Sequence, residues 1–168
     1  LVACVTLMRI YNLFNFWRLY LWVLMRVSAV KYARKIGVQV GERCKFVSIT
    51  GGTFGSEPYL ISIGNHVEIS FDVKFITHDG GVWVARGQEP DLDVMATIQV
   101  GNNVFIGANS IILPGTNIGD DCVVGAGSVV RGEIPSGSVV AGVPAKVIKD
   151  TNAYIKHSIE RGVRTKLM

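Results

Sequence analysis

The sequence is poor in the residues that mark several common protein classes. Its 168 residues include only three cysteines and five prolines, and charged residues make up 18% of the chain. The cysteines are odd in number and form no Cys-x-x-Cys pair, so a reducing compartment, by default the cytoplasm, is expected. Because hydrophobic residues reach 49%, the composition excludes a disordered chain.

Acidic residues are missing from the N-terminal quarter of the chain. Residues 1–41 carry a net charge of +6, residues 42–143 a net charge of −6, and residues 144–168 a net charge of +4. A membrane-spanning helix needs about 20 predominantly apolar residues, and the N-terminal stretch is interrupted by Arg9, Arg18 and Arg26. We therefore expect no transmembrane span and no secretory signal, but an acidic body between two basic ends.

A six-residue repeat runs through the second half of the sequence. Aliphatic residues stand at every sixth position, at Val100, Ile106, Ile112, Ile118, Val124 and Val130. The fifth position of each hexad is small or apolar, and the second is glycine in four hexads, at Gly101, Gly107, Gly119 and Gly125. This spacing fits neither a helix nor a plain strand. It predicts short strands joined by tight corners, wound into a parallel β-helix.

The same phase continues upstream, and the segments around it differ in composition. Hexads begin at Ile63, Ile69 and Phe75, and the pattern then fails over residues 79–97, which we interpret as a loop extruded from the coil. The aromatic, basic N-terminus is predicted to be helical, and Asp150 or Thr151 can cap a C-terminal helix. The predicted division is a helical segment at 1–37, the β-helix at 38–149 and a helical tail at 150–168.

Two pairs of segments carry a resemblance to a known family. The run IGANSIILPGTNIGDDCVVGAGSVV, followed by IPSGSVVAGVPAKVIK, strongly resembles the hexapeptide-repeat acyltransferases, whose fold is a left-handed parallel β-helix. The segments FGSEPYLISIG and FITHDGGVWV resemble the bacterial sugar and polysaccharide O-acetyltransferases within that family. The resemblance implies an all-β fold, a homotrimer with active sites between subunits, and acetyl-CoA as the acyl donor.

The reaction implied by this resemblance needs a base that works near neutral pH, because an alcohol is a poor nucleophile at its own pKa. His78 matches the family's catalytic histidine and would take the hydroxyl proton during direct attack on acetyl-CoA. Two acids can orient it: Asp79, its neighbour, and Glu57, which precedes it by about one coil. Trp83 and Asn109 are candidates for contact with the sugar acceptor.

The residues expected to bind coenzyme A are also implied by the resemblance. Pantetheine would run beside Ala108 and Ala126, whereas Lys146 and Lys149 would contact the phosphates. Family members often carry a Thr-Lys-Asp triplet after the last full hexad. This chain has Arg-Gly-Glu there instead, so the basic side chain is displaced by one position, and Arg131 is assigned to coenzyme A on this partial match.

Several rival functions remain open at this stage. Serine or antibiotic O-acetyltransfer and a non-catalytic β-helix scaffold are alternatives to sugar acetylation. A zinc enzyme is disfavoured because His66, His78 and His157 lack ligand spacing, so no metal requirement is expected. The basic, aromatic residues 1–35 favour association with the inner face of a membrane over nucleic-acid binding, although packing on the trimer is an equal alternative.

Overall fold

The computed structural model describes residues 16–164. Within these residues there are three α-helices, α1 at residues 16–27, α2 at Ala29–Ile36 and α3 at Thr151–Arg161, and two 3₁₀ helices, at Pro58–Leu60 and Gly80–Ala85. Between α2 and α3 the chain forms fourteen short strands, which are β1 Gln39–Val40, β2 Lys45–Phe46, β3 Ile61–Ile63, β4 Glu68–Ile69, β5 Lys74–Phe75, β6 Ile98–Val100, β7 Phe105–Ile106, β8 Ile111–Ile112, β9 Asn117–Ile118, β10 Val123–Val124, β11 Val129–Val130, β12 Glu133–Ile134, β13 Ser138–Gly142 and β14 Ala145–Asp150.

The strands form the three faces of a prism. Their orders are β1-β3-β6-β9-β12 on the first face, β2-β4-β7-β10-β13-β14 on the second and β5-β8-β11 on the third. Neighbours are parallel except for β13 and β14, and the register places Ile106 beside Val124 and Ile112 beside Val130. Each partner lies three hexads further along the chain, so one turn of the coil uses three strands and three corners. The predicted left-handed parallel β-helix is confirmed.

The core is a set of stacked columns made from the hexad positions. Every leading residue from Ile63 to Val130 is almost completely buried, and so is every fifth-position residue of these hexads except Asp79, which lies at the start of the loop. Residues between these positions face outwards, as Gln99 and Asn117 do. Each inward side chain therefore stacks on the corresponding side chain of the next coil. This close packing leaves little room for large polar residues in the core.

Glycine is required where one coil approaches the next. A Cβ atom placed on Gly107 would lie 2.5 Å from the backbone nitrogen of Ala126, one coil below. Such an approach is closer than non-bonded atoms tolerate, so the second hexad position at this corner needs a residue without a side chain.

A helix adjoins the coil at each of its two ends. Helix α2 begins at its N-cap Ser28 and ends at Gly37, whose φ of 111° is left-handed; Tyr32 and Ala33 are its buried residues. Helix α3 begins after Asp150, whose carboxylate accepts hydrogen bonds from the first backbone N–H groups. At this end β13 and β14 form an antiparallel hairpin, which the hexad pattern does not predict. Helix α2 packs against β1 and β2 of the first coil, whereas α3 contacts β13 and β14 and is exposed from Asn152 onwards.

The extruded loop is present at the predicted place, between β5 and β6. Its two ends are joined by backbone hydrogen bonds: Asp79 N donates to the Val94 carbonyl at 2.8 Å, and Ala96 N donates to the Thr77 carbonyl at 2.9 Å. The loop therefore leaves and re-enters the coil through a short antiparallel bridge centred on His78 and Met95.

Two sequence expectations concern segments beyond the prism. Within residues 16–164 no helix has the length and apolar character needed to cross a bilayer. The helical prediction for residues 1–15 falls outside the described residues. The division at residues 37 and 149 stays a prediction.

Replacement of Gly107 by alanine tests the close contact between coils. We expect Gly107→Ala to lower the free energy of unfolding by about 1–3 kcal/mol, because the new methyl group forces neighbouring backbone apart. Gly52→Ala is the control, since nothing lies within 4 Å of a Cβ placed there. Equal stability of the two variants in urea titrations would show that the coils are not packed this closely.

Candidate active site

His78 lies at the edge where the coil gives way to the extruded loop. The backbone bridge to Met95 fixes its main chain, while its side chain remains 46% exposed. An imidazole held on a rigid backbone and open to solvent can meet a substrate without a rearrangement of the fold. This combination suits a group that exchanges protons with a bound molecule.

Glu57 reaches His78 from the preceding coil. Its Oε2 atom lies 3.0 Å from His78 Nδ1, and the Glu57 side chain is only 13% exposed. Ser56 Oγ is a more distant neighbour of the same nitrogen, at 3.4 Å. Because an ionised carboxylate only accepts hydrogen bonds, Nδ1 must carry the proton of this contact. The neutral imidazole then presents Nε2 as an acceptor, which is the state that a general base requires.

Thr77 is a further contact of Glu57 that the sequence analysis missed. Its Oγ1 donates a 2.6 Å hydrogen bond to Glu57 Oε2, the same oxygen that faces His78. The hydrogen bonds from Thr77 and then from His78 lower the pKa of Glu57 below its ordinary value. The carboxylate is therefore ionised at neutral pH and can stabilise a protonated imidazole.

Asp79, the other acid considered as a partner for His78, makes a different contact. Its Oδ1 accepts a 2.9 Å hydrogen bond from Gly81 N, which caps the short 3₁₀ turn Gly80–Ala85. The carboxylate that faces the imidazole in the structure thus belongs to Glu57, whereas Asp79 shapes the start of the loop.

His78 borders two adjoining clefts. One, of about 400 Å³, is lined by Glu57, Asp79 and Trp83 among others. The other, of about 520 Å³, continues past His78 to Pro114 and Arg131. An imidazole that is shared by two clefts can contact one reactant in each of them.

The loop side of the first cleft is held in shape by Arg86. Its guanidinium donates to Asp93 Oδ1 and to the Pro90 carbonyl, both at 2.6 Å. Trp83, which lines the same cleft as Arg86, is 75% exposed, so its indole ring is open to an incoming molecule. An exposed indole beside a polar cleft is a surface on which a sugar ring can stack.

The other predicted site residues lie away from His78 within one chain. Ala108, Asn109 and Ala126 are at the corner between the second and third faces, where Gly127 N donates to the Ala108 carbonyl at 2.7 Å. Lys146 and Lys149 are exposed on β14. The structure therefore brings together His78, Glu57, Asp79, Trp83 and Arg131, but not these five residues.

Comparison with known proteins identifies the family. The family described as hexapeptide repeat of succinyl-transferase matches residues 97–131. Protein CapG of Staphylococcus aureus is 52% identical over 149 residues, which cover 89% of this chain and 87% of that protein. Galactoside O-acetyltransferase of Escherichia coli (strain K12) is 52% identical over 101 residues, covering 60% of this chain and 49% of that protein. The chain belongs to the hexapeptide-repeat acetyltransferase family.

A solved structure of the family contains the coenzyme. Serine acetyltransferase from Brucella abortus strain S19 in complex with coenzyme A matches with a TM-score of 0.54 and 26% sequence identity, covering 68% of this chain and 40% of that one. The chain thus spans about half or less of the galactoside and serine enzymes, so their substrates are not transferred to it by similarity.

Proposed function

We propose that the protein is an acetyl-CoA-dependent O-acetyltransferase that acetylates a hydroxyl of a sugar or polysaccharide precursor, with His78 as the base. The observation that carries this proposal is the 3.0 Å contact between His78 Nδ1 and Glu57 Oε2, which leaves Nε2 as a proton acceptor. Membership of an acetyltransferase family supports the reaction class. The galactoside enzyme among the relatives supports a sugar acceptor.

The proposed reaction is a single transfer without an acyl-enzyme. His78 Nε2 takes the proton of the acceptor hydroxyl while the hydroxyl oxygen attacks the thioester carbonyl. The carbon–sulfur bond breaks, and the protonated imidazole returns the proton to the leaving sulfur of CoA. Glu57 stabilises the positive charge that His78 carries between these two steps. No metal takes part in this scheme.

The two clefts suggest how the reactants divide. We assign acetyl-CoA to the cleft that Arg131 shares with His78 and the acceptor to the cleft beside Trp83. A basic side chain suits the phosphates of the donor. Ala108, Ala126, Lys146 and Lys149 would then complete the coenzyme site, with Asn109 at the rim for the acceptor, and these residues would come from a neighbouring subunit.

A homotrimer would bring the separated residues to one site. The outward residues on the third face include the aliphatic Ile111 and Val129, which are only half-buried in a single chain. Apolar side chains on one flat face favour contact with another copy. A trimer with active sites between subunits would unite the His78 edge of one subunit with the Ala108 corner of the next.

Serine is the second candidate acceptor. The support for it is the similarity of the coil to serine acetyltransferase. Trp83 and the galactoside O-acetyltransferase relative favour a sugar instead. An assay of CoA release with either acceptor distinguishes the two candidates.

Replacement of His78 tests the proposed function. We expect His78→Ala to lower sugar-dependent release of CoA thiol from acetyl-CoA by about a hundredfold or more, because the acceptor hydroxyl loses its base. His157→Ala, an exposed histidine on α3, is the control and should retain wild-type rates. The acceptor panel should contain free sugars, lipid-linked sugars, serine and chloramphenicol. Full activity of His78→Ala with any of them would contradict the mechanism.

We further propose that the enzyme works in the cytoplasm at the inner face of the membrane, where lipid-linked sugar precursors are found. Helix α1 carries a stripe of apolar residues with exposed fractions of 42–78%. The α1 stripe consists of Phe16, Leu19, Tyr20, Val23 and Val27. Beside it, Arg26 lies 5.2 Å from the centre of the Trp22 ring. Since residues 1–41 contain no acid, the surface best suited to cover this stripe is an anionic lipid bilayer.

Vesicle binding tests the α1 stripe. We expect the protein to sediment with vesicles of phosphatidylglycerol and phosphatidylcholine, and Val23→Glu to weaken this binding because it buries a charge among lipid chains. Val163→Glu is the control, since Val163 is 75% exposed but lies beyond α3. If Val23→Glu changes the oligomeric state and leaves vesicle binding intact, the stripe contacts another subunit and the membrane proposal is wrong.

A further inference from the structure

Thr77 differs from the other buried hydroxyl residues of the coil in what it contacts. Its side chain is fully buried, as are those of Ser110, Thr116 and Ser128. Those three donate to backbone carbonyls in or near their own corners. Thr77 Oγ1 instead donates to the carboxylate of Glu57 at 2.6 Å. A buried hydroxyl directed at a carboxylate is not explained by the repeat.

The backbone around Thr77 lets two adjacent residues meet one atom. Thr77 and His78 follow each other at the end of the third face, where the Thr77 carbonyl accepts from Ala96 N at 2.9 Å. Neighbouring residues in extended chain point to opposite sides, and accordingly Thr77 is buried while His78 is exposed. Glu57 Oε2 lies within hydrogen-bond distance of both side chains. The Glu57 carboxylate is thus held by Thr77 on its interior side and by His78 on its cleft side.

Glu57 depends on such a contact because of the segment that carries it. It follows Gly55, whose φ of 63° is left-handed, and the exposed Ser56. A glutamate side chain has several rotatable bonds, and holding one rotamer costs entropy unless strong contacts fix it. A hydrogen bond to an ionised carboxylate is among the stronger contacts available.

We propose that Thr77 is a positioning residue, which acts through Glu57 to hold its Oε2 against His78 Nδ1 and so sets the rate of acetyl transfer. This inference rests on the proposed function, since it assigns His78 the role of base. Thr77 itself contacts neither reactant. Its hydroxyl keeps the carboxylate in the one orientation that selects the Nδ1–H form of the imidazole.

The charge state of Glu57 also depends on Thr77. The Thr77 hydrogen bond is the largest of the influences that lower the pKa of Glu57. An acid with a lowered pKa stays ionised until the pH falls through that value. Removal of the hydroxyl raises the pKa towards its ordinary value, so protonation of Glu57 begins at higher pH.

Thr77→Val is the direct test, because valine keeps the shape of threonine and lacks the hydroxyl. We expect kcat to fall about tenfold with KM for acetyl-CoA unchanged. Thr77→Ser should restore most of the rate. Thr116→Val, which removes a buried hydroxyl bonded to backbone carbonyls, is the matched control and should keep the wild-type kcat.

A double-mutant cycle distinguishes positioning from a purely structural effect. If Thr77 acts through Glu57, Thr77→Val added to Glu57→Gln should cause no further loss of kcat. Additive losses, or a Thr77→Val enzyme with wild-type kcat, would overturn the inference. If Thr77→Val does not fold, Thr77→Ala is measured in the same cycle.

The two proposals fail in different ways. A fully active His78→Ala enzyme contradicts the proposed function. An inactive His78→Ala enzyme together with a fully active Thr77→Val enzyme contradicts only the role of Thr77.

Discussion

The parallel register between successive coils is the constraint on which the rest of the structure depends. Because each coil uses three hexads, residues far apart in sequence are brought to the same corner at every turn. Phe75 N donates to the Thr53 carbonyl at 2.8 Å, which places the segment containing Glu57 directly beside the start of the extruded loop. The contact between Glu57 and His78, 21 positions apart, follows from this stacking. A slip of one residue would exchange inward and outward side chains and separate the pair.

The site is assembled where the repeat stops. Within the repeat, inward positions are occupied by aliphatic or small side chains and carry no chemistry. At residues 54–60 and 76–97 the chain departs from the coil, and these two departures supply Glu57, Thr77, His78 and Trp83. Loops attached to a rigid scaffold commonly carry function for this reason. Here the bridge between Thr77 and Ala96 and the Arg86–Asp93 ion pair limit how far the loop can move.

The fold was accessible from the sequence because every coil repeats the same packing problem. Val100 to Val130 mark the buried columns without interruption, and the failure of the pattern after Phe75 marks the loop. The hairpin of β13 and β14 was not accessible, because its reversal replaces hexad spacing with a turn around Pro144.

The partner of His78 was not decided by the sequence for a related reason. Periodicity gives the direction of side chains only inside the repeat, and both candidate acids lie outside it. Only the structure shows that Asp79 caps a turn while Glu57 faces the imidazole. Thr77 gave no signal, since it stands at the third position of the hexad headed by Phe75, where the repeat does not predict a buried side chain. The assignment of Ala108, Ala126, Lys146 and Lys149 to coenzyme A stays a prediction.

The claim that Glu57 orients His78 is tested most directly by comparing Glu57→Gln with Asp79→Asn. Both substitutions remove one negative charge from the same cleft, but only Glu57 contacts the imidazole. The account predicts that kcat/KM for acetyl transfer falls about tenfold or more in Glu57→Gln and changes less than about threefold in Asp79→Asn. The reverse order would contradict it and would make Asp79 the residue that orients the base.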